Sequence, residues 1–254
     1  MRYFLRLIQI IYSTYAILVF LLLMLILFPF VLLTSFFGET MRGNLIYYIA
    51  TFWADAGMLL WGIPHKTISD KEYNPDHPVI FVFNHISYLD IPVLMKTLRD
   101  YRIRILGKIE MSKIPIFGFT YRAAVVMVDR SDADARAKSV KKLKAVLKKN
   151  ISVVIAPEGT FNMTNKPLKE FYDGAFKIAI ETQTPIKPVI FLDTYDRLHY
   201  KSIFSFTPGR SRSVFLEEVS VKGYDTNDVE IVKQKVYDIM EAALIKYKAS
   251  WIRE

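Results

Sequence analysis

A chain of 254 residues that is 52% hydrophobic and holds no cysteine has enough material for one core with an appendage. The missing cysteines exclude a disulfide scaffold, a thiolate metal centre and a cysteine nucleophile. The formal charge of +9, from 34 Lys and Arg against 25 Asp and Glu, suits anionic headgroups, phosphorylated ligands or nucleic acid; no nucleic-acid-binding module is recognisable, so no nucleic-acid partner is expected.

The first segment accounts for much of the apolar content. From Tyr15 to Phe37 there is no charge and almost no polar side chain, a run long enough for the roughly 20 helical residues that span a bilayer core. It has no small-residue cleavage site and exceeds a signal sequence in length, so it is expected to be retained. A second apolar stretch, 44–63, carries Asp55. The two readings are a single span, with Pro29 as a possible kink, and a helical hairpin set into one leaflet. Basic residues after these segments direct the remainder of the chain to the cytoplasmic face; Arg2 and Arg6 on the other flank weaken that for a single span and leave the hairpin untouched. The division is a membrane-associated helical region, 1–63, and a catalytic domain, 64–254.

After a linker at 65–78, short apolar runs alternate with longer helical patterns. Strands are expected at 79–83, 103–106, 124–128, 152–156, 186–192 and 214–217, and helices at 90–98, 133–149, 174–183 and 228–249. This is an α/β fold with a mixed or mainly parallel sheet flanked by helices and active-site loops at strand ends. The helix at 133–149 offers Ala137, Val140, Leu143, Ala145 and Leu147 to the core and crowds six lysines on the remaining surface. A solvated face is the ordinary explanation of such a lysine array, with anionic lipid or carrier phosphates as the other. Tyr195, Tyr200, Phe204 and Phe206 suit the wall of an acyl chain and core packing equally.

Chemistry concentrates at Asn84-His85-Ile86-Ser87-Tyr88-Leu89-Asp90, directly after the apolar run 79–83. A neutral imidazole takes a proton from a hydroxyl near neutral pH, and a carboxylate on its other nitrogen fixes the tautomer. If Asp90 opens a helix, its carboxylate lies one turn from His85. The plainer explanation is a helix cap beside a structural histidine. Ser87 raises a Ser-His-Asp hydrolase, but no Gly-x-Ser-x-Gly elbow is present, and residues two apart on an extended loop point to opposite sides. His65, His77 and His199 are scattered singly, so no metal site is expected.

Four further blocks follow: Gly107-Lys108-Ile109-Glu110 with Ile114-Pro115-Ile116-Phe117-Gly118, Val128-Asp129-Arg130, Ala156-Pro157-Glu158-Gly159-Thr160, and Pro185-Ile186-Lys187-Pro188-Val189. In order and spacing the set resembles the glycerolipid acyltransferases, specifically the 1-acylglycerol-3-phosphate O-acyltransferases, over roughly residues 75–195. The resemblance implies transfer of an acyl group from acyl-CoA or acyl-acyl carrier protein to a lysophospholipid hydroxyl at a membrane, giving phosphatidic acid, with no cofactor or metal. It implies His85 as base and Asp90 as its orienter, with Asn84 holding the loop or the oxyanion. Lys108 matches a position that meets the acceptor phosphate, Pro115 and Gly118 match a shaping turn, and Glu158, Gly159 and Thr160 match the third block, where the carboxylate binds substrate or braces the loop. Arg130 either reaches substrate or pairs with Asp129.

Two departures stand out. The family places arginine after Glu-Gly-Thr, where it grips the acceptor phosphate, and this chain has Phe161; where relatives often carry a basic residue before Gly-Ala-Phe, it has Tyr172-Asp173. Phenylalanine cannot make arginine's bidentate bonds to phosphate. Lys166, Lys113 and Arg130 are the candidate substitutes, and an anionic acceptor held mainly by lysines, Lys108 and Lys166 among them, is the expectation. An N-acyl amino-acid lipid, whose carboxylate replaces the phosphate, is the alternative acceptor; a lipid-binding protein without turnover is the alternative outside enzymes.

Overall fold

A computed structural model describes residues 2–69, 76–129 and 132–252. Two helices lead, α1 (Arg2–Leu33) and α2 (Glu39–Leu60), followed by β1 (His65–Ile68), β2 (Ile80–Phe83), α3 (Asp90–Thr97), β3 (Ile103–Lys108), α4 (Phe117–Ala124) and β4 (Val125–Val128). Then come α5 (Ala133–Leu147), β5 (Ser152–Ile155), α6 (Gly174–Thr182), β6 (Ile186–Phe191), the single turn α7 (Thr194–Arg197), β7 (Ser211–Phe215) and α8 (Val229–Lys246). The strands form one seven-stranded sheet in the order β1-β7-β6-β2-β5-β3-β4. Neighbouring strands run parallel except β6 and β7, so β1 and β7 oppose the other five.

The central strands β2, β5 and β6 are buried on both faces, which is why they read as mostly apolar runs, interrupted by Ser152 in β5 and Lys187 in β6. Alternation still sorts their side chains. Ile80, Val82, Val153, Ile155, Ile186 and Ile190 face α5, α6 and α8, where Leu143, Phe176, Val236 and Met240 complete one core. Phe81, Phe83, Val154, Val189 and Phe191 face α3 and the N-terminal helix pair, meeting Val93, Leu94, Met58, Trp61 and Ala16.

Helices α1 and α2 pack antiparallel: Phe20 meets Trp53 edge to face at 5.3 Å, the Trp61 indole donates to the Ala16 carbonyl at 3.1 Å, and Tyr12 donates to the Trp61 carbonyl. Helix α1 continues through Pro29 to Leu33. The pair is fastened to the sheet domain: Asp55 binds Lys96 at 2.5 Å and Arg99 at 3.2 Å, and the buried hydroxyl of Tyr47 donates to the Ala124 carbonyl and accepts from the Ile105 amide, both at 3.0 Å. Along α1 the outer side chains Leu18, Leu22, Leu25, Ile26 and Phe30 stay exposed, and among the described residues α1 is the one helix long and apolar enough to cross a membrane.

Three expectations need correction. Residues 65–68, read as linker, form β1 and pair in parallel with β7 at the sheet edge. Ala137 and Ala145 of α5 face solvent, whereas Ser139, Leu143 and Leu147 are buried, with Val140 half-buried. Helix α4, which opens on Phe117 at the end of the block 107–118, is absent from the expected helices.

Candidate active site

The loop after β2 leaves the sheet at the edge where the parallel strands β2, β5, β3, β4 and β6 all end. Asn84 starts it: its Nδ2 donates to the Phe191 carbonyl at 3.1 Å and its Oδ1 accepts from the Phe191 amide at 2.7 Å. Both polar ends of that buried amide are used on the end of β6, which makes Asn84 a brace of the loop. The chain then turns into α3, and Asp90 is the first residue of that helix. Its Oδ2 accepts the amides of Ile86 at 2.7 Å and Ser87 at 2.9 Å and meets Nδ1 of His85 at 2.8 Å.

That convergence has a chemical consequence. An ionised carboxylate only accepts, so Nδ1 donates to Asp90 and Nε2 keeps its lone pair. Asp90 is wholly buried while the His85 side chain is 22% exposed, so the pair has a sheltered end and an accessible one. A hydroxyl meeting Nε2 finds a base whose positive charge, once formed, is stabilised by Asp90. Ser87 takes no part: its buried hydroxyl donates to the Leu198 carbonyl at 2.6 Å and accepts from the Leu89 amide at 3.0 Å. The arrangement can serve as a base with its orienter, and Ser87 is not placed as a nucleophile.

Beside β2, the loop after β5 carries Glu158, Gly159 and Thr160. Glu158 has no solvent exposure; its Oε1 accepts the His85 amide at 2.9 Å and its Oε2 the Lys169 amide at 2.8 Å. Burial pushes this carboxyl up to about 7, against the two amide hydrogen bonds and the Lys169 charge that favour its ionised form. It ties the base-bearing loop to the loop 160–171. Gly159 turns the chain at φ +72°, in the region where glycine is unstrained. Thr160 accepts a hydrogen bond from Lys169 Nζ at 2.9 Å. The same loops are also tied through their backbones, Asn162 donating to the His85 carbonyl at 2.7 Å.

Phe161, the departure noted in the sequence, lies directly against the imidazole of His85. Its ring centroid is 4.4 Å from that of His85, 4.9 Å from Tyr88 and 6.5 Å from Tyr200, in edge-on or tilted contacts. Aromatic edges, not a cation, occupy that side of the imidazole.

The remaining sequence-derived candidates divide. Lys108 is exposed at the end of β3, two strand positions from β2 on the same edge, about 10 Å away at the usual strand spacing. Lys166 is exposed on the loop 160–171. Arg130 lies outside the described residues. Lys113 is exposed in the turn before α4; there Gly118 is required, because a Cβ would come within 2.1 Å of the Ser112 carbonyl oxygen. The sequence reading passed over Lys169, Tyr88 and Asn162. Lys169 had no signal, since only the folding back of the loop 160–171 brings its amide to Glu158 and its ammonium to Thr160.

The acyltransferase family profile matches residues 65–192, a span that contains this whole constellation. The chain belongs to the acyltransferase family. Among its relatives, the 1-acyl-sn-glycerol-3-phosphate acyltransferase of Cocos nucifera is 32% identical over 162 residues, covering 63% of this chain and 50% of that protein. The alpha form of the enzyme from Mus musculus is 30% identical over 180 residues, covering 70% of this chain and 62% of that protein. The chain thus spans about half to three fifths of the curated relatives it matches. The crystal structure of a 1-acyl-sn-glycerophosphate acyltransferase from Thermotoga maritima superposes with a TM-score of 0.77 at 22% identity, covering 100% of both chains, so the acyltransferase fold is shared from the N-terminal helix pair to α8.

Proposed function

We propose that this acyltransferase-family protein moves a fatty acyl group from a thioester, acyl-CoA or acyl-acyl carrier protein, to the free hydroxyl of 1-acylglycerol 3-phosphate and forms phosphatidic acid. The observation that carries the reading is the His85–Asp90 pair, with Asp90 on Nδ1 and the opposite nitrogen open. In the reaction Nε2 removes the hydroxyl proton as the oxygen bonds to the thioester carbonyl carbon. The tetrahedral intermediate collapses with cleavage of the C–S bond, and the imidazolium returns the proton to the departing thiolate. Atoms and charge balance without a cofactor, because the thioester arrives activated. The enzyme's share is alignment, the base and stabilisation of the oxyanion. The activity for which the relatives are named supports the same acceptor.

The exposed apolar side of α1 supports a membrane seat, since both acceptor and product partition into bilayers. In this reading the helix pair holds the site at headgroup depth on the cytoplasmic face, with lysines directed to anionic lipid. A second acceptor is favoured by one specific observation: Phe161 on the imidazole leaves no arginine fork there, which suits an N-acyl amino-acid lipid carrying a carboxylate. A binding protein without turnover has no use for an oriented, accessible base.

Detergent-solubilised parent protein and His85→Ala, each given labelled acyl thioester with lysophosphatidic acid or with the N-acyl amino-acid lipid, test the proposal. Phosphatidic acid made by the parent and lost in the variant is expected. Product from the amino-acid lipid alone would replace the acceptor, and equal transfer by parent and variant would remove His85 as base.

A further inference from the structure

An anionic acceptor needs a cation close to the base, and the side of His85 next to Thr160 is closed by the ring of Phe161. Lys169 stands on the other side of the same short loop. Its backbone amide is bound to the carboxylate that also holds the His85 amide, and its ammonium is bound to the hydroxyl of Thr160, the residue before Phe161. Two hydrogen bonds through Glu158 thus hold the backbones of His85 and Lys169 together, and a third holds the ammonium on Thr160, next to the residue whose ring meets the imidazole.

The charge of Lys169 is also available. Among the described residues no carboxylate lies within ion-pair distance of its ammonium, whose partner is a neutral hydroxyl. Glu158, which binds the Lys169 amide, is a carboxyl that burial pushes up to about 7, so it offsets the charge incompletely near neutral pH. Lys233, by contrast, is already paired with Asp173 and Glu230. Lys169 and Lys166 border an open cavity of about 430 Å³ that Lys233, Glu170 and Glu230 also line, Glu230 being paired with Lys233, so the space beside Lys169 is not filled by protein. An ammonium half-buried in this way holds an anion by a charge-assisted bond stronger than one to a neutral donor.

We propose that Lys169, held by Thr160, binds the anionic headgroup of the acyl acceptor. The inference rests on the acyl-transfer reading and deepens it, naming the group that the Phe161 position does not supply. Only a few bonds separate hydroxyl from phosphorus in a 1-acylglycerol 3-phosphate, so its anchoring cation must stand on a loop that borders His85, as Lys169 does through Thr160 and Phe161. The phosphates of a pantetheine-bearing donor lie much farther from the reacting carbon.

The test is the Michaelis constant of each substrate in the full-length protein, Lys169→Met and Lys169→Arg. Methionine keeps the stem and removes the charge, and arginine restores it. A KM for lysophosphatidic acid raised roughly tenfold or more in Lys169→Met, with the thioester KM within about threefold of the parent and Lys169→Arg near the parent on both, is expected. An acceptor KM that does not change in Lys169→Met overturns the assignment while leaving acyl transfer standing. A thioester KM that rises instead, or equally, overturns it too, since the loop would then serve the donor's phosphates or general packing. Failure of the parent protein to acylate the acceptor overturns the underlying reading and this assignment with it.

Discussion

Glu158 is an acidic side chain with no access to water, fixed between the amides of His85 and Lys169. Its ordinary value of 4.5 rises to about 7 in the folded protein, so between those values the native state binds more protons than the unfolded chain. Stability from this group is therefore greatest at low pH and falls as pH rises through the window, by about 3 kcal/mol in all. His65, which burial lowers to about 4, contributes the opposite slope up to its ordinary value of 6.5, so the parent's own profile mixes the two. Comparison with Glu158→Gln separates them, because His65 is common to both proteins. The variant should be less stable by about 1–3 kcal/mol at pH 5, since an amide nitrogen cannot accept the Lys169 hydrogen bond. By pH 8 that gap should narrow or reverse. Urea unfolding in detergent at the two pH values measures it, and parallel losses in both proteins would show that Glu158 does not titrate in the window. Glu158-Gly159-Thr160 was legible in the sequence as a block. Which carboxylate oxygen binds which amide was not, because both donors belong to loops that meet only in the fold.

Elements show the same division. Strands β2, β5 and β6 were readable since burial on both faces leaves mostly apolar runs, with Ser152 and Lys187 as the exceptions. Strand β1 was not: His65-Lys66-Thr67-Ile68 is polar, and it becomes a strand by lying against Ser211–Val214, far along the chain. On α5, composition favoured Ala137 and Ala145, whereas the buried stripe runs Ser139, Leu143, Leu147 at helical spacing, with the Ser139 hydroxyl donating to the Met127 carbonyl at 2.8 Å. Helical phase, not the hydrophobicity of single residues, chose the inner face. The hydroxyl of Tyr47 ties helix α2 to both β3 and α4. Tyr47→Phe leaves the Ile105 amide without that acceptor in a buried setting, so a loss of about 1–3 kcal/mol is expected. A thermal midpoint in detergent matching the parent's would show that water or a shifted backbone replaces the hydroxyl.

In the molecule as a unit, the long apolar helix and the catalytic loops are linked. The segment 198–206 touches both: its Phe206 amide donates to the Ser13 hydroxyl of α1 at 3.1 Å, the Leu198 carbonyl accepts from Ser87, and Tyr200 lies against Phe161. Ile203 and Phe204 are exposed on that segment, lying in sequence between its contact with Phe161 and its contact with α1. Replacing Leu18, Leu22, Leu25 and Ile26 together by glutamine leaves the inner face of α1 unchanged and removes the apolar area that a bilayer would bury. Sedimentation with phosphatidylglycerol vesicles should fall by an order of magnitude or more; full retention would show that the protein is held to lipid by charge or by another surface.

The linear order of residues was enough to establish the α/β class, the apolar N-terminal helix, the His85–Asp90 pair and the block pattern of the family. Those features depend on neighbours a few positions apart, where periodicity and helix geometry dictate what meets. Tertiary structure decided the rest: that α2 is bolted to the sheet, that β1 completes it, that Phe161 covers one side of the base, and that Lys169 comes to stand beside Thr160. Each of these depends on contacts between segments distant in sequence, and such contacts follow from which buried faces find each other when the chain closes, not from the composition of either segment.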